Sequence, residues 1–345
     1  KIASILACAM LLSAAPVEAM AYTVPDTVRV GLESVCKNVA SASIGVWELQ
    51  IGMQKGDGFQ RGGVITSSGL FTARPAVGDY IAVDKTMDCA DALDMANDMK
   101  KSGLDTYAAY LSGGDWTVYV KDASVSAVEA AADENASRVS FEGVAITGGE
   151  APVLVPENAV MMGGNVADTF KLNSMPYRGM LTFSVNGSSM TGVNIIGLEE
   201  YLYGVVPSEM PKSYDAEALK AQAVAARTYA MTKLGAHTGS GYQLCDTTAC
   251  QVYKGYSNES DATTAAVDAT AGEVACYNGS PIEAVFSAST GGYTESSENV
   301  WNAAVPYLRA VPEPGEYGDN SWAKTLTLDE LTALLQAKGE NIGTA

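Results

Sequence analysis

The sequence predicts an α+β fold in which mostly antiparallel strands surround a central alanine-rich helix. Two apolar segments, residues 181–185 and 190–196, are joined through Asn186-Gly187, a favoured two-residue hairpin turn. The alanine-rich helix is expected over residues 215–234. Units in which strands and helices alternate regularly are scarce, so a doubly wound parallel sheet is not expected.

The composition indicates a globular protein that does not bind nucleic acid. The chain has 345 residues, enough for one large or two smaller globular units. Hydrophobic residues make up 47% and charged residues 18% of the sequence, a globular balance rather than a disordered one. The formal net charge of −19 argues against nucleic-acid partners, because phosphate neutralisation needs clustered Lys and Arg.

Residues 1–21 are predicted to be a signal peptide. Lys1 precedes an apolar run over residues 2–15, and Ala19-Met20-Ala21 has the small-x-small form of a signal-peptidase site. The run is short for a membrane span, and a buried N-terminal helix is the alternative. We therefore expect a secreted, extracytoplasmic protein, located in the cell wall or held at the membrane by an uncleaved signal.

Residues 27–75 have the composition of strands and turns, and residues 79–145 follow a strand–helix–strand–strand pattern. In the second segment, Asp88 is a candidate helix cap, and a hairpin is expected around the turn at residues 112–115. This pattern resembles a small SPOR-like α+β unit, a peptidoglycan-binding repeat, inserted at residues 79–145. An ordinary α+β insertion without a ligand is an equally open interpretation.

Glu209 is the candidate catalytic acid. It lies between Pro207 and Pro211 and follows the apolar residues 205–206. The two prolines are expected to keep Glu209 out of a helix interior. Apolar neighbours disfavour the charged form of a carboxyl group, which suits a general acid. An exposed glutamate just before a helix is the alternative.

Lys220 and Arg227 are candidate substrate-binding residues. They are seven residues apart on the predicted helix and therefore share one of its faces. Two cations on that face could hold sugar hydroxyls, N-acetyl groups or the lactyl carboxylate of a wall sugar. A solvated charged face is the alternative.

His237, Cys245 and Cys250 are candidate ligands of a structural zinc ion. His237 is the single histidine of the sequence, and one histidine with two thiolates supplies three of the four ligands of tetrahedral zinc. The spacing is looser than that of a zinc finger. A Cys245–Cys250 disulfide is the alternative outside the cell.

An apolar run at residues 282–286 leads into a small, polar segment with a double glycine. Ser289, Gly291 and Gly292 are candidate substrate-binding residues, because glycine lets the backbone approach a ligand closely. Trp301 could stack on a sugar ring. A hairpin turn beside a core tryptophan is the alternative.

Four blocks in this order resemble the SpoIID/LytB domain family: residues 194–211, 217–230, 245–253 and 287–301. The first block ends in Glu209-Met210-Pro211. The resemblance implies that residues 147–345 form a SpoIID/LytB domain that is incomplete at its C-terminus. Residues 27–75 would then be its opening strands.

The resemblance implies a peptidoglycan lytic transglycosylase of sporulation or cell-wall remodelling. Glu209 would be its general acid/base, Lys220 and Arg227 its glycan contacts, and the His/Cys set its zinc ligands. Such an enzyme cleaves denuded glycan strands and leaves 1,6-anhydromuramic ends.

Two other functions remain open on the sequence. One is a non-catalytic, glycan-binding amidase enhancer that acts with a cell-wall amidase. The other is a metal-dependent hydrolase, which is disfavoured because two thiolates suit structural zinc better than catalytic zinc.

Overall fold

The computed structural model describes residues 24–164, 169–313 and 323–339. Two compact units, Lys1–Phe286 and Ser287–Ala345, divide the chain. The predicted signal peptide, residues 1–21, lies outside the described residues. Within the described ranges, no helix is long and apolar enough to cross a membrane.

The first unit contains many short strands and a smaller set of helices. The strands are β1 (Thr27–Gly31), β2 (Ala42–Gly45), β3 (Glu48–Lys55), β4 (Gly58–Thr66), β5 (Phe71–Val83), β6 (Asp105–Ser112), β7 (Asp115–Lys121), β8 (Ala136–Thr147), β9 (Val153–Pro156), β10 (Val160–Gly163), β11 (Thr169–Leu172), β12 (Met175–Arg178), β13 (Met180–Asn186), β14 (Ser189–Gly197), β15 (Leu244–Cys245), β16 (Cys276–Tyr277) and β17 (Ser280–Pro281). The helices are α1 (Glu33–Cys36), α2 (Cys89–Lys101), α3 (Val125–Ala132), α4 (Leu198–Glu209), α5 (Ala216–Lys233) and α6 (Asp261–Ala269).

Seven of these strands form a sheet in the order β15-β1-β14-β13-β10-β3-β4. Neighbouring strands are antiparallel except β1 and β15, which are parallel. Val28 and Val30 of β1 join the same apolar core as Leu198 and Leu202 of α4. Burial of one helix face therefore seats α4 on this sheet.

Five strands of a second sheet close into a small barrel. β5 pairs with β8 along its length, from Thr72↔Thr147 to Val83↔Ala136. β7 joins β5 to β6, and β9 joins β6 to β8. Closure removes free strand edges inside the ring.

The chain segment that forms the barrel also includes α2, and it follows the order of strand, helix and hairpin that the sequence predicts after residue 79. β5, α2, β6 and β7 follow one another in that order. Asp88 caps α2 as expected, because its side chain accepts a hydrogen bond from the Asp91 amide at 2.9 Å. Sugar binding by this unit stays a prediction.

The β13–β14 hairpin was predicted, but its turn lies one residue later than expected. The last paired residues are Asn186 and Ser189, so Gly187 and Ser188 form the two-residue loop. Gly187 has a φ of +58°. Glycine adopts this left-handed conformation without the clash that a side chain would cause.

The helix predicted over residues 215–234 is α5. Its Ala223, Ala226 and Ala230 are fully buried, and α5 packs on α4 and α6. The strands do not surround α5 as predicted. Its small side chains admit neighbouring helices closely, so α4, α5 and α6 form a helical layer.

Helix α4 continues through Pro207 and ends at Glu209, so Pro207 lies within the helix, whereas Glu209 lies at its end and not in its interior. Pro207 occupies the last turn, where a missing N–H costs one helical hydrogen bond. Ser208 Oγ donates to the Gly204 carbonyl at 2.7 Å, and the Met210 amide donates to Val206 at 2.9 Å. These bonds support the final turn around the proline.

The second unit contains two described helices, α7 (Ser297–Trp301) and α8 (Leu328–Ala337). Buried Ser297 holds its loop together: its hydroxyl donates to Ala303 O at 2.8 Å and accepts from Val305 N at 2.7 Å. Thr327 caps α8 through a capping box.

Candidate active site and metal centre

Glu209 lies at the C-terminal end of α4 and is half-buried. Its position follows from the buried face of the helix, because Val205 and Val206 are fully enclosed in the core. Oε1 of Glu209 accepts a hydrogen bond from the Val252 amide at 2.8 Å. A carboxyl group that is anchored and still partly open to solvent can exchange a proton with a bound ligand.

Residues 250–253 form the segment that holds Glu209. Gln251 Nε2 donates to the Ala226 carbonyl of α5 at 3.2 Å. Tyr253 donates its hydroxyl proton to Asn194 Oδ1 at 2.9 Å. Buried contacts on both sides of Val252 therefore set the direction of its amide.

Arg227 is fully buried and makes its polar contacts inside the protein. Its guanidinium pairs with both carboxylate oxygens of Glu199 in α4, at 2.8 and 2.6 Å. It also donates to the carbonyls of Glu273, at 3.0 Å, and Val267, at 3.3 Å. These bonds tie α5 to α4 and to the end of α6, and a glycan contact would require Arg227 to leave them.

Lys220 has a different environment on the same helix. Its side chain is 35% exposed and pairs at 2.8 Å with Glu217, whose side chain is 85% exposed. Such a surface pair contributes little, about 0–1 kcal/mol. The ammonium group can therefore exchange this partner for a ligand at small cost.

The ligand atoms of His237, Cys245 and Cys250 all lie within 4.8 Å of one another. Cys250 Sγ is 3.4 Å from His237 Nε2, and neither cysteine forms a disulfide. Two thiols and an imidazole in a compact, largely buried cluster fit three ligands of tetrahedral zinc. The predicted disulfide alternative is not formed in the structure.

The other ring nitrogen of His237 faces a carboxylate. Nδ1 lies 4.0 Å from Glu33 Oε1, which also accepts the Tyr242 hydroxyl proton at 2.6 Å. Burial alone raises the pKa of Glu33, but hydrogen bonds from Lys37 and Tyr242 bring that pKa below its ordinary value. An ionised carboxylate on this side favours a proton on Nδ1 and leaves Nε2 for a metal.

Ser289, Gly291 and Gly292 lie in a loop of the second unit. The two glycines have φ values of +72° and +97°, the left-handed region that a side chain disfavours. The Gly292 carbonyl accepts from the Glu313 amide at 2.9 Å, which closes the loop. Trp301, in the same unit, is 56% exposed, so it is not the core tryptophan of the alternative interpretation.

The sequence did not predict a role for four residues that support the site, which are Glu199, Gln251, Val252 and Glu33. Glu199 pairs with an arginine 28 residues away, a separation that carries no local pattern. Val252 acts through its backbone amide, which any residue except proline provides. Two of these residues, Gln251 and Val252, directly follow Cys250 and lie in the family-like block at residues 245–253, and these were the available signals.

The fold and the site together define a class of protein. It is an α+β domain in which a glutamate at the end of a helix adjoins a His/Cys cluster. The glutamate and the cluster meet at residues 250–252, where Cys250 is two positions from the amide that binds Glu209. Residues 186–277 match the family model of SpoIID, described as stage II sporulation protein. This segment of the chain is therefore similar to the SpoIID family, as its motifs indicate.

Several curated proteins are similar to part of the chain. The amidase enhancer of Bacillus subtilis (strain 168) is 50% identical over 130 residues, which are 38% of this chain and 17% of that protein. Stage II sporulation protein D of the same organism is 38% identical over 163 residues, 42% of this chain and 48% of that protein. An uncharacterized protein of Brachyspira hyodysenteriae is 41% identical over 166 residues, 48% of this chain and 45% of that protein. The chain thus spans less than half the length of each.

Proposed function

We propose that the protein is a peptidoglycan lytic transglycosylase of sporulation or cell-wall remodelling that cleaves denuded glycan strands. The observation that carries the proposal is the half-buried Glu209 carboxyl, held through Oε1 by the Val252 amide in a SpoIID-family segment. Similarity to a stage II sporulation protein D supports a role at the cell wall. The site of action would be extracytoplasmic.

A single carboxyl group suffices for this chemistry. The Glu209 proton passes to the glycosidic oxygen while the bond from that oxygen to the sugar C1 breaks. The 6-hydroxyl oxygen of the same sugar bonds to C1, and its proton returns to the Glu209 carboxylate. No water is consumed, and the product carries a 1,6-anhydromuramic end. An ordinary glycosidase would need a second carboxylate.

We assign substrate contacts to side chains and loops according to how exposed they are to solvent. Lys220 would bind the glycan directly, because its surface ion pair is weak. Arg227 would act by holding α4, which ends at Glu209, against α5. In the second unit, the loop with Ser289, Gly291 and Gly292 would offer backbone groups to sugar hydroxyls.

A structural zinc ion would be held by His237, Cys245 and Cys250. It would stabilise the loop between α5 and α6, and we assign it no chemical step. The segment at residues 79–145 would be a SPOR-like insertion within a domain that opens with residues 27–75 and continues from residue 147.

The test is to incubate the protein with denuded and with peptide-bearing glycan strands and to analyse the products by mass. Denuded strands should yield 1,6-anhydromuramic ends. Glu209→Gln should keep the fold and glycan binding, yet lower cleavage by roughly 10²–10⁴-fold, the usual contribution of a positioned general acid. Glu200→Gln, the same change at the opposite end of α4, is the matched control. Wild-type rates in Glu209→Gln would place the acid elsewhere.

A second candidate function is a non-catalytic amidase enhancer that binds glycan strands. The 50% identity to a protein of that name favours it. In that case both the wild type and Glu209→Gln would bind strands without cutting them, and the protein would accelerate a cell-wall amidase added to the assay.

A further inference from the structure

We propose that Gln251 is a positioning residue for Glu209. Its side chain fixes residues 250–253 to α5 and so directs the Val252 amide at the carboxyl group. The inference rests on the proposed function for its catalytic consequence, but its geometric content can be tested separately.

The direction of the Val252 amide depends on the contacts of its neighbours in the chain. Residues 251–253 have no regular secondary structure, so no strand or helix ladder sets the direction of that N–H. Gln251 is 1% exposed, and its Nε2 bonds to the Ala226 carbonyl at 3.2 Å. The helix that carries Lys220 therefore also fixes the donor that holds Glu209.

A glutamine at position 251 has a cost in stability. Oε1 of Gln251 is buried without a hydrogen-bond partner, which opposes folding. The Ala226 carbonyl lies inside α5, where a helical amide four residues on already serves it. A methionine of similar length would fill the space without an unpaired atom. The unpaired oxygen offsets part of what the Nε2 hydrogen bond contributes to stability, and positioning of the next amide is the role that we assign to this glutamine.

Unpaired polar atoms also occur on the two helices that contact residues 250–253. In the described part of the chain, the other buried side-chain atoms without a partner are Tyr201 Oη and Gln222 Nε2. Tyr201 lies on α4 and Gln222 on α5, the helices that meet residues 250–253. Buried unpaired groups call for an explanation, and a functional role is one of those they commonly have. Both helices contact residues 250–253, through the Glu209–Val252 and Gln251–Ala226 hydrogen bonds.

The decisive variant is Gln251→Met. We expect kcat on denuded strands to fall roughly 10- to 100-fold, the effect of misplacing a catalytic group by about 1 Å. KM should stay within about twofold, since the residue touches no substrate. The melting temperature should be unchanged or higher.

Thr106→Val is the matched control. Thr106 is buried and donates to the carbonyl of a helical alanine, Ala96, at 2.7 Å, but in the barrel. Its loss should lower the melting temperature and leave kcat unchanged. If kcat and the melting temperature fall together in both Gln251→Met and Thr106→Val, Gln251 has only a structural role and the proposal is overturned.

Amide hydrogen exchange at Val252 tests the geometry without catalysis. Exchange should quicken by roughly tenfold in Gln251→Met, towards the rate in Glu209→Ala, and should not change in Thr106→Val. Wild-type exchange in Gln251→Met would reject the inference, as would faster exchange with wild-type kcat. A wild-type protein that releases no anhydromuramic ends would overturn the proposed function alone, and the exchange rates would still decide whether Gln251 holds the amide.

Discussion

At the residue scale, two cations of one helix have different surroundings because their burial differs. Lys220 and Arg227 share a helical face by spacing, yet their side chains are 35% and 0% exposed. A buried guanidinium must be paired where it lies: the Glu199 carboxylate neutralises its charge, and two backbone carbonyls accept further N–H groups. The ammonium group of Lys220 stays partly exposed to solvent, where a ligand can reach it.

We predict that Arg227→Ala lowers the free energy of unfolding by about 3 kcal/mol, because it breaks a buried ion pair and leaves three helices less firmly joined. Lys220→Ala should change that free energy by less than about 0.5 kcal/mol. It should instead weaken glycan binding by roughly tenfold, the loss of one charge-assisted hydrogen bond. Denaturant unfolding and binding to denuded strands measure the two effects. An Arg227→Ala protein of wild-type stability that no longer binds glycan would reverse the assignment.

At the element scale, the loop between α5 and α6 carries both the candidate metal ligands and the support of Glu209. His237 follows α5, and Cys245 ends β15, which pairs with β1. Cys250 is next to Gln251. Because these ligands come from separate parts of the loop, one bound ion would close it into a rigid unit.

We predict about one zinc ion per chain, measured by elemental analysis of protein purified without chelator. Cys245→Ser and Cys250→Ser should lose the ion and lower the melting temperature. Cys36→Ser is the control, because Cys36 is also buried but lies outside the cluster, and burial raises its pKa to about 11. Metal-free protein with a mass consistent with a Cys245–Cys250 disulfide would refute the zinc assignment.

At the scale of the whole molecule, the net charge opposes the approach of an anionic glycan strand, whereas a local positive charge favours its binding. The chain carries a formal charge of −19, and denuded glycan strands carry lactyl carboxylates. Long-range repulsion between them is screened by salt over a Debye length of about 10 Å at 0.1 M. Short-range contacts such as that proposed for Lys220 act only after encounter.

We therefore predict that the association rate with denuded strands rises about two- to threefold between about 50 and 200 mM salt. Uncharged oligomers of N-acetylglucosamine, which lack the lactyl group, should show no such rise. Stopped-flow binding measures both rates. Association that slows with salt would indicate that a local cationic surface, rather than the net charge, controls encounter.

The elements that the sequence predicted correctly are those with local signals. Asp88 caps α2, the turn after Asn186 joins β13 to β14, and the alanine-rich segment forms α5. Capping, turn chemistry and helical periodicity act within a few residues, so they can be recognised without the fold. The His237, Cys245 and Cys250 set was also within reach, because few other residue types bind zinc.

Tertiary structure decided the rest. The barrel closes through β9, a four-residue strand whose partners β6 and β8 lie on either side of it in space. Pro207 stays helical because the buried Val205-Val206 face holds the last turn of α4 in place. Arg227 is buried because Glu199 and two carbonyls converge on it. Each outcome depends on groups distant in sequence, whose combined burial and hydrogen bonding outweigh local preference.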